Sequence, residues 1–275
     1  MAMNLVLGIA NGDHVGESVS DLAYSRIRSD ILFGRLHPGE RLRLDAFSQR
    51  YGAGISTMRE LLNRLASEGL IVAEGQRGFE VAPVSPAEFR EVGALRLLLE
   101  AHAMTQSFAT GDLDWEARVV AAHHKLSVTE NRMIGNVDAD PVVWKQCDRD
   151  FHHSLIAACG SRTLMATHSA VYDKYLRYQM IAVIFRGEAA AREHGMLLDC
   201  ALKRDAKRAC EILKLHIESC VDYALSAAAP DWAGGTTPSL AQPPPGANGT
   251  SKATRMRAKP RPKAGPASER EKPKV

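Results

Sequence analysis

Apolar side chains recur at helical spacing through most of this chain. In residues 51–70, Met58, Leu61, Leu62 and Leu65 make one stripe, and Ser56, Thr57, Arg59, Asn63 and Arg64 occupy the opposite face. The pattern predicts an amphipathic helix capped by Ser56 or Thr57, with Thr57 and Glu60 as a capping box and Gly69 as the stop. Upstream, Leu22, Ile27, Ile31 and Leu32 give an interrupted stripe over 21–33, which Gly34 ends. His37-Pro38-Gly39 reads as a turn, and a short helix over 45–51 points Phe47 inward. Gly52-Ala53-Gly54 then forms the tight bend between two helices. Downstream, 70–73 and 79–82 are strand-like runs joined by 74–78, a hairpin with Arg77 exposed at its tip. Three helices and a hairpin within residues 20–83 predict a winged helix-turn-helix.

Ser85-Pro86-Ala87-Glu88 restarts the chain with a cap, a proline at the first helical position and an acid in the first turn. Helices are then predicted over 86–109, 114–130, 141–159, 162–184, 187–203 and 205–227. Breaks fall at Gly111-Asp112, Asp140-Pro141, Gly160, Gly187 and Arg204-Asp205. Six helices with short loops make an all-α antiparallel bundle over 84–228. The fold class is therefore mainly α, a winged helix-turn-helix followed by a helical bundle. Residues 1–19 read as a flexible arm. Residues 229–275 read as a disordered, basic Pro/Ala-rich tail, too poor in apolar side chains to build a core, and open to non-specific phosphate contact.

Charge changes the picture locally. The formal net charge is +3, but nine Lys/Arg against two Glu after residue 250 put +7 in the tail and leave −4 on residues 1–250. Nucleic-acid binding by the folded part must come from a patch, not from overall charge. No run approaches the length of a membrane span, and no export signal is visible. Five cysteines without a C-x-x-C pair point to reduced thiols in a cytoplasmic protein.

Candidate chemistry lies in the bundle. Asp148 and His152 sit four apart on one helix and share a face; His194 and His216 stand on two later helices. One carboxylate and three imidazoles can present four ligands to a divalent transition metal, although such spacing also fits histidines satisfied in a core. His153 points about 100° away from His152. His123, His124 and His168 have no spaced partner and read as structural or surface residues. Tyr172, Tyr175 and Tyr178 fit either a pocket wall or ordinary packing.

The elements G-x-L-x-P-G (Gly34, Leu36, Pro38, Gly39), R-E-x-L-x-R-L-x-x-E-G-L (59–70) and R-G-F-x-V (77–81) resemble the N-terminal domain of GntR-type bacterial transcription regulators. The resemblance implies a homodimer on palindromic double-stranded operator DNA. It places Arg59 on bases or phosphate, the Arg77-Gly78 wing near the minor groove, and Arg41 or Arg43 at the family's preceding basic position. Thr57 stands where many members have proline and Ile55 where some have a base-contacting arginine, so the operator is not inherited from better-known relatives. The Y-G-x-G-x-S form at residue 51 also resembles the branch of carbon-starvation regulators that respond to dicarboxylates.

The later elements, Asp148 to His152, Glu193-His194, Asp205-x-x-x-Ala209 and Leu215-His216-Ile217, look like those of the FCD ligand-binding domain in the fatty-acid-regulator subfamily. That likeness implies that Asp148, His152, His194 and His216 hold Zn²⁺, with Ni²⁺ or Mn²⁺ as alternatives, and that a small mono- or dicarboxylate effector takes the open positions. Arg96-Leu97-x-x-Glu100 matches the domain's first long helix. Arg96 is thereby the expected clamp on the effector's far carboxylate, or else a structural ion pair with a neighbouring acid.

The leading expectation is a ligand-responsive repressor without enzymatic activity. A metalloenzyme is the competing class, since an open metal site can activate water; no H-E-x-x-H, nucleophile motif or general base at a defined offset supports it. A third reading is a metal-independent bundle that serves mainly in dimerisation.

Overall fold

The computed structural model describes residues 18–73, 75, 78–181 and 185–227. The predicted arm up to residue 17, Arg77 at the hairpin tip and the tail from residue 228 lie outside them. Helix α1 (Val19–Leu32) starts two residues before the predicted position because the Ser18 hydroxyl caps it, accepting from the Asp21 amide at 3.1 Å. Strand β1 (Arg41–Leu42) was not predicted; two residues are too few to show alternation. Helices α2 (Leu44–Tyr51) and α3 (Ile55–Ser67) follow, then β2 (Ile71–Ala73) and β3 (Phe79–Val81). The three strands form an antiparallel sheet in the order β1-β3-β2, with Arg41 opposite Glu80, Leu42 opposite Phe79 and Ile71 opposite Val81. Ile27, Ile31, Leu36, Met58, Leu62, Leu65 and Val81 close a core beneath it.

The start of α3 corrects the expected cap. Gly54 holds the cap position without a side-chain bond, so Ser56 and Thr57 lie in the first turn and no Thr57–Glu60 capping box forms. The preceding turn explains this. Gly52 takes the left-handed conformation at φ 71° and Ser48 Oγ donates to the Ala53 carbonyl at 2.6 Å, so the bend closes within three residues and the helix resumes at once. The stop is as expected. Gly69 sits at φ 74°, and the Gly69 and Leu70 amides donate to the carbonyls of Ala66 and Leu65, each at 3.0 Å.

The bundle comprises α4 (Pro86–Thr110), α5 (Leu113–Gly135), α6 (Pro141–Ile156), α7 (Arg162–Ile181), α8 (Glu188–Leu202) and α9 (Ala206–Ala227). Helix α5 continues past the predicted 130 until Asn136 turns left-handed, and α6 stops short of 159. Helix α4 is the central element, packing on α6, α7 and α9, while α5 packs on α6 and α8. Phe89, Ala103, Met104 and Phe108 on α4 meet Trp115, Phe151, Leu197, Leu213 and Ile217 in a second core. The same helix carries Arg96 and Glu100 into that interior. Among the described residues no helix is long and apolar enough to cross a membrane.

The joint between α4 and α5 is tight at Gly111. A β-carbon there would stand 2.5 Å from the Trp115 ring and 2.8 Å from Arg204 Nη1. Trp115 is itself fixed by its indole N–H, which donates to the Ser154 carbonyl at 2.9 Å. Gly111→Ala is therefore expected to destabilise the protein by about 1–3 kcal/mol, read as a lower midpoint in urea denaturation. An unchanged midpoint would show that Trp115 has room to move.

Candidate metal centre and DNA-reading helix

Helix α6 delivers the first two ligands. Asp140 caps it, accepting from the Val142 and Val143 amides, and Pro141 sets its first turn. Asp148 and His152, one turn apart, then project into the interior, where His194 of α8 and His216 of α9 meet them. All four are buried, and one ligand atom from each lies within 4.8 Å of the others. The sequence-predicted set is thus brought together in full.

The hydrogen bonds around the rings decide which nitrogens face the centre. His152 Nδ1 lies 3.1 Å from Glu100, His194 Nδ1 2.7 Å from Glu130 and His216 Nδ1 2.7 Å from Glu193. An ionised carboxylate only accepts, so each Nδ1 carries a hydrogen and the neutral form of each ring has its lone pair on Nε2. His152 Nε2 is buried without a hydrogen-bond partner, an expensive arrangement for a protein core with nothing to bind, and His194 Nε2 faces only the Asp148 carboxylate, at 3.2 Å. Carboxylate–histidine pairs of this kind orient imidazoles for metal ligation. Three imidazole nitrogens and one carboxylate suit a divalent ion of the zinc or nickel type.

The electrostatics agree. Burial alone would raise the Asp148 carboxyl, but Lys145 at 3.3 Å and the neighbouring imidazoles hold it well below the usual range, and the Tyr172 hydroxyl donates to it at 2.7 Å. Burial opposes a charge on His194, yet the adjoining Asp148 and Glu130 carboxylates raise it to about 9. Burial and repulsion from His194 and His152 leave His216 well below its ordinary value, against the pull of its bond to Glu193. Burial also lowers His152, against the pull of Glu100. Of the three rings, only His194 is favoured in its doubly protonated form, with Nδ1–H toward Glu130 and Nε2 3.2 Å from Asp148 Oδ1.

Several residues of this site escaped the sequence reading. Glu130 and the role of Glu193 did, since Glu193 serves His216 on another helix and not its chain neighbour His194. His168, expected to be structural or at the surface, is buried with Nε2 2.7 Å from Glu100 Oε1. Arg96 is fully buried, pairs with Glu100 at 2.7 Å and lies over the rings of Tyr172 and Tyr175; its Nη1 has no hydrogen-bond partner. The cavity beside the four ligands is lined instead by Trp144, Lys145, Gln179, Arg186 and Cys220. Arg186 pairs there with Glu193 and donates to the His216 carbonyl at 3.2 Å. The cavity is small, about 10 Å³, room for an ion or a single water.

At the other end of the chain, Met58, Leu61, Leu62 and Leu65 are buried while Ser56, Arg59, Asn63 and Arg64 are exposed and Thr57 is half-exposed. Arg41 and Arg43 are also exposed, and Gly78 takes φ 92° at the base of the wing. Arg64 is partly engaged, lying 3.8 Å from the Tyr24 ring centre and 4.0 Å from Glu68. Arg59 is exposed near the start of α3, where a helix entering the major groove presents its base-reading side chains.

A divalent ion must displace the His194 proton, so affinity rises with pH below about 9. Zinc affinity is expected to climb about tenfold per pH unit between roughly pH 6 and 8, with about one proton released per ion in calorimetry across buffers of different ionisation heat. A pH-independent affinity would place the ion elsewhere.

Comparison with known proteins agrees with both ends of the chain. Residues 20–81 match the gntR family of bacterial regulatory proteins and residues 91–219 match the FCD domain. The chain is 39% identical over 210 residues to the HTH-type transcriptional regulator BphR of Paraburkholderia xenovorans (strain LB400), covering 74% of this chain and 84% of that one. It is 30% identical over 200 residues to the HTH-type transcriptional repressor GlaR of Escherichia coli (strain K12), covering 70% and 90%. Among solved structures, E. coli McbR/YncC aligns with a TM-score of 0.64 at 17% identity, over 76% of this chain and 98% of that one, a likeness of fold. A winged helix-turn-helix and a helical domain built around a buried Asp/His cluster are accordingly parts of one regulator: this chain belongs to the GntR family of DNA-binding transcription regulators, with a C-terminal FCD domain, and not to a family of enzymes.

Proposed function

We propose that this regulator is a repressor that grips a palindromic operator as a homodimer and lets go when a small carboxylate enters the cavity beside a metal held by Asp148, His152, His194 and His216. The observation that carries the reading is the set of three Nδ1–carboxylate bonds, which leave three Nε2 atoms and Asp148 aimed at one point in a dry interior. A bound divalent ion would supply a Lewis-acidic centre with open positions for an anionic oxygen; zinc fits this donor set best. The cavity wall supports an acid as effector, because Lys145 and Arg186 both border it. Arg96 backs the site from behind, holding Glu100 and through it His152, with Nη1 left for the far end of a longer acid. Since the cavity holds little more than one water, an organic acid must displace side chains to enter. That displacement is what gives it different affinities for two states of the protein.

In this reading residues 20–83 bind DNA, and 84–228 bind effector and metal and dimerise. The reading side chains are Arg41, Arg43, Ser56, Thr57, Arg59, Asn63 and Arg64, with Arg77 and Gly78 in the wing. An apolar groove on α4, with Leu97, Leu98 and Ala101 facing Cys210 of α9, supports dimerisation through the bundle. Repression as the sign of control follows one relative, the repressor GlaR. The site of action is the cytoplasm.

Selection of bound duplexes from a random DNA pool, followed by affinity measurement on the enriched sequence, tests the division of labour. The enriched sequence is expected to be palindromic. Arg59→Ala should weaken binding by about 5- to 150-fold, the worth of a good base contact, and retain zinc. His194→Ala should lose zinc and retain DNA binding. An Arg59→Ala protein with full affinity would remove α3 from the reading role; zinc retained at full stoichiometry by His194→Ala would remove the metal site.

A further inference from the structure

Helix α7 stands between the two ends of the molecule, and its successive side chains serve different masters. Toward the bundle interior, Tyr172 donates its hydroxyl to Asp148 at 2.7 Å, His168 meets Glu100 at 2.7 Å, and the Tyr175 ring lies 4.5 Å from the Arg96 guanidinium. Toward the DNA-reading head, Asp173 accepts from Arg28 of α1, and Arg177 donates to the Ala82 carbonyl just after β3. Lys174 lies beside Gly69, the stop of α3, its ammonium 3.2 Å from where a β-carbon would stand. Arg28 continues the path, since its Nε donates to Glu68 at 3.1 Å and Glu68 is the C-terminal cap of the reading helix. Tyr24 of α1 donates to the same carboxylate.

Asp173 is the pivot of this arrangement. It is 3% exposed, so its carboxylate needs a cation at all times. One oxygen is taken by Arg28. The other, Oδ1, lies 3.1 Å from Arg149 Nη2 without hydrogen-bond alignment and has no hydrogen-bond partner. Arg149 follows the ligand Asp148 on α6. One buried acid thus pairs at once with a cation from the head and, at 3.1 Å, with a second from the metal-bearing helix, so release of the first leaves the second in place and strands no charge on Asp173.

We infer that Asp173 is a two-position latch: α7, held to the metal ligand Asp148 through Tyr172, presents Asp173 to Arg28 and so ties the reading head to the state of the centre, with Arg149 as the alternative cation when the head is released. The inference rests on the proposed metal site for its trigger, while the latch itself rests on contacts that exist without an ion. Tyr172 and Asp173 are adjacent residues on one helix, so a shift of α7 that follows Asp148 moves both. An ion that fixes Asp148 fixes Tyr172 and with it Asp173, and the hold on α1 tightens.

Hydrogen exchange of the full-length protein, metal-stripped and then loaded with zinc alone, tests this. In the wild type, zinc is expected to slow exchange in α6, α8 and α9, and to slow α1 by about fivefold or more, the low end of ordinary coupling between sites. Asp173→Asn should keep the bundle response and lose that of α1. If Asp173 were only a structural contact, its loss would speed exchange generally and leave the α1 response to zinc in place, which would overturn the latch. So would a wild-type α1 that ignores zinc while the bundle responds. A second arm needs no ion: in metal-stripped protein, Tyr172→Phe removes one hydroxyl from a packed ring and is expected to speed α1 exchange about threefold or more, and no change there would also overturn the latch. Zinc that protects nothing in the bundle would overturn the metal reading instead, leaving the Tyr172→Phe arm to decide on the latch.

Discussion

A carboxylate moved out of water costs several kcal/mol unless it meets a cation or enough hydrogen-bond donors, and this bundle buries four of them within reach of one point. Asp148, Glu100, Glu130 and Glu193 are each under a tenth exposed. Arg96, Lys145 and Arg186 supply the cations, and His152, His194 and His216 supply the donors through Nδ1. Nearly everything in the helical domain answers to this requirement. Helix α4 is central because it brings Arg96 and Glu100 together four residues apart on one face; α5 contributes Glu130, α8 contributes Glu193 and His194, and α9 contributes His216. The acids fix the rings, and the fixed rings turn their remaining nitrogens inward. What looks like an excess of negative charge in a core is what orients the three imidazoles beside Asp148.

The same economy of contacts joins the helical domain to the winged helix-turn-helix. The head has its own apolar core, and its link to the bundle is polar: Arg28 with Asp173, and Arg177 with the Ala82 carbonyl. A polar joint can exchange partners, whereas a packed apolar one resists rearrangement. A regulator that must respond to an ion or an acid needs the first kind between its parts and the second kind within them. The distribution of apolar and charged residues along α7 supplies that division.

Much of this was legible in the sequence, for definite reasons. The three helices of the head and the six of the bundle follow from apolar periodicity with Gly, Pro, Ser and Asp at the ends. Asp148 and His152 were legible because four residues is one helical turn. The convergence of His194 and His216 on them could be stated only through resemblance, since nothing local relates α6, α8 and α9. Less was legible where the structure depends on long-range choice. Glu130 is tied to His194 across 64 positions, and Glu193 passes over its neighbour for His216. Lys145 sits three residues from Asp148 and was within reach of a spacing argument. The expected cap on α3 failed because Gly52 and Ser48 close the turn from the preceding helix, so the local S/T-x-x-E signal was outweighed by tertiary context. Strand β1 exists only because β3 gives it a partner.

The point that the three imidazoles and Asp148 enclose is where a bound ion must be found. X-ray absorption at the zinc edge of metal-loaded protein addresses it directly. The prediction is one ion per chain with three imidazole nitrogens and at least one carboxylate oxygen at about 2.0–2.2 Å. That spectrum should collapse in His152→Ala and His216→Ala. A first shell containing sulfur, or an ion bound equally well without those histidines, would contradict it.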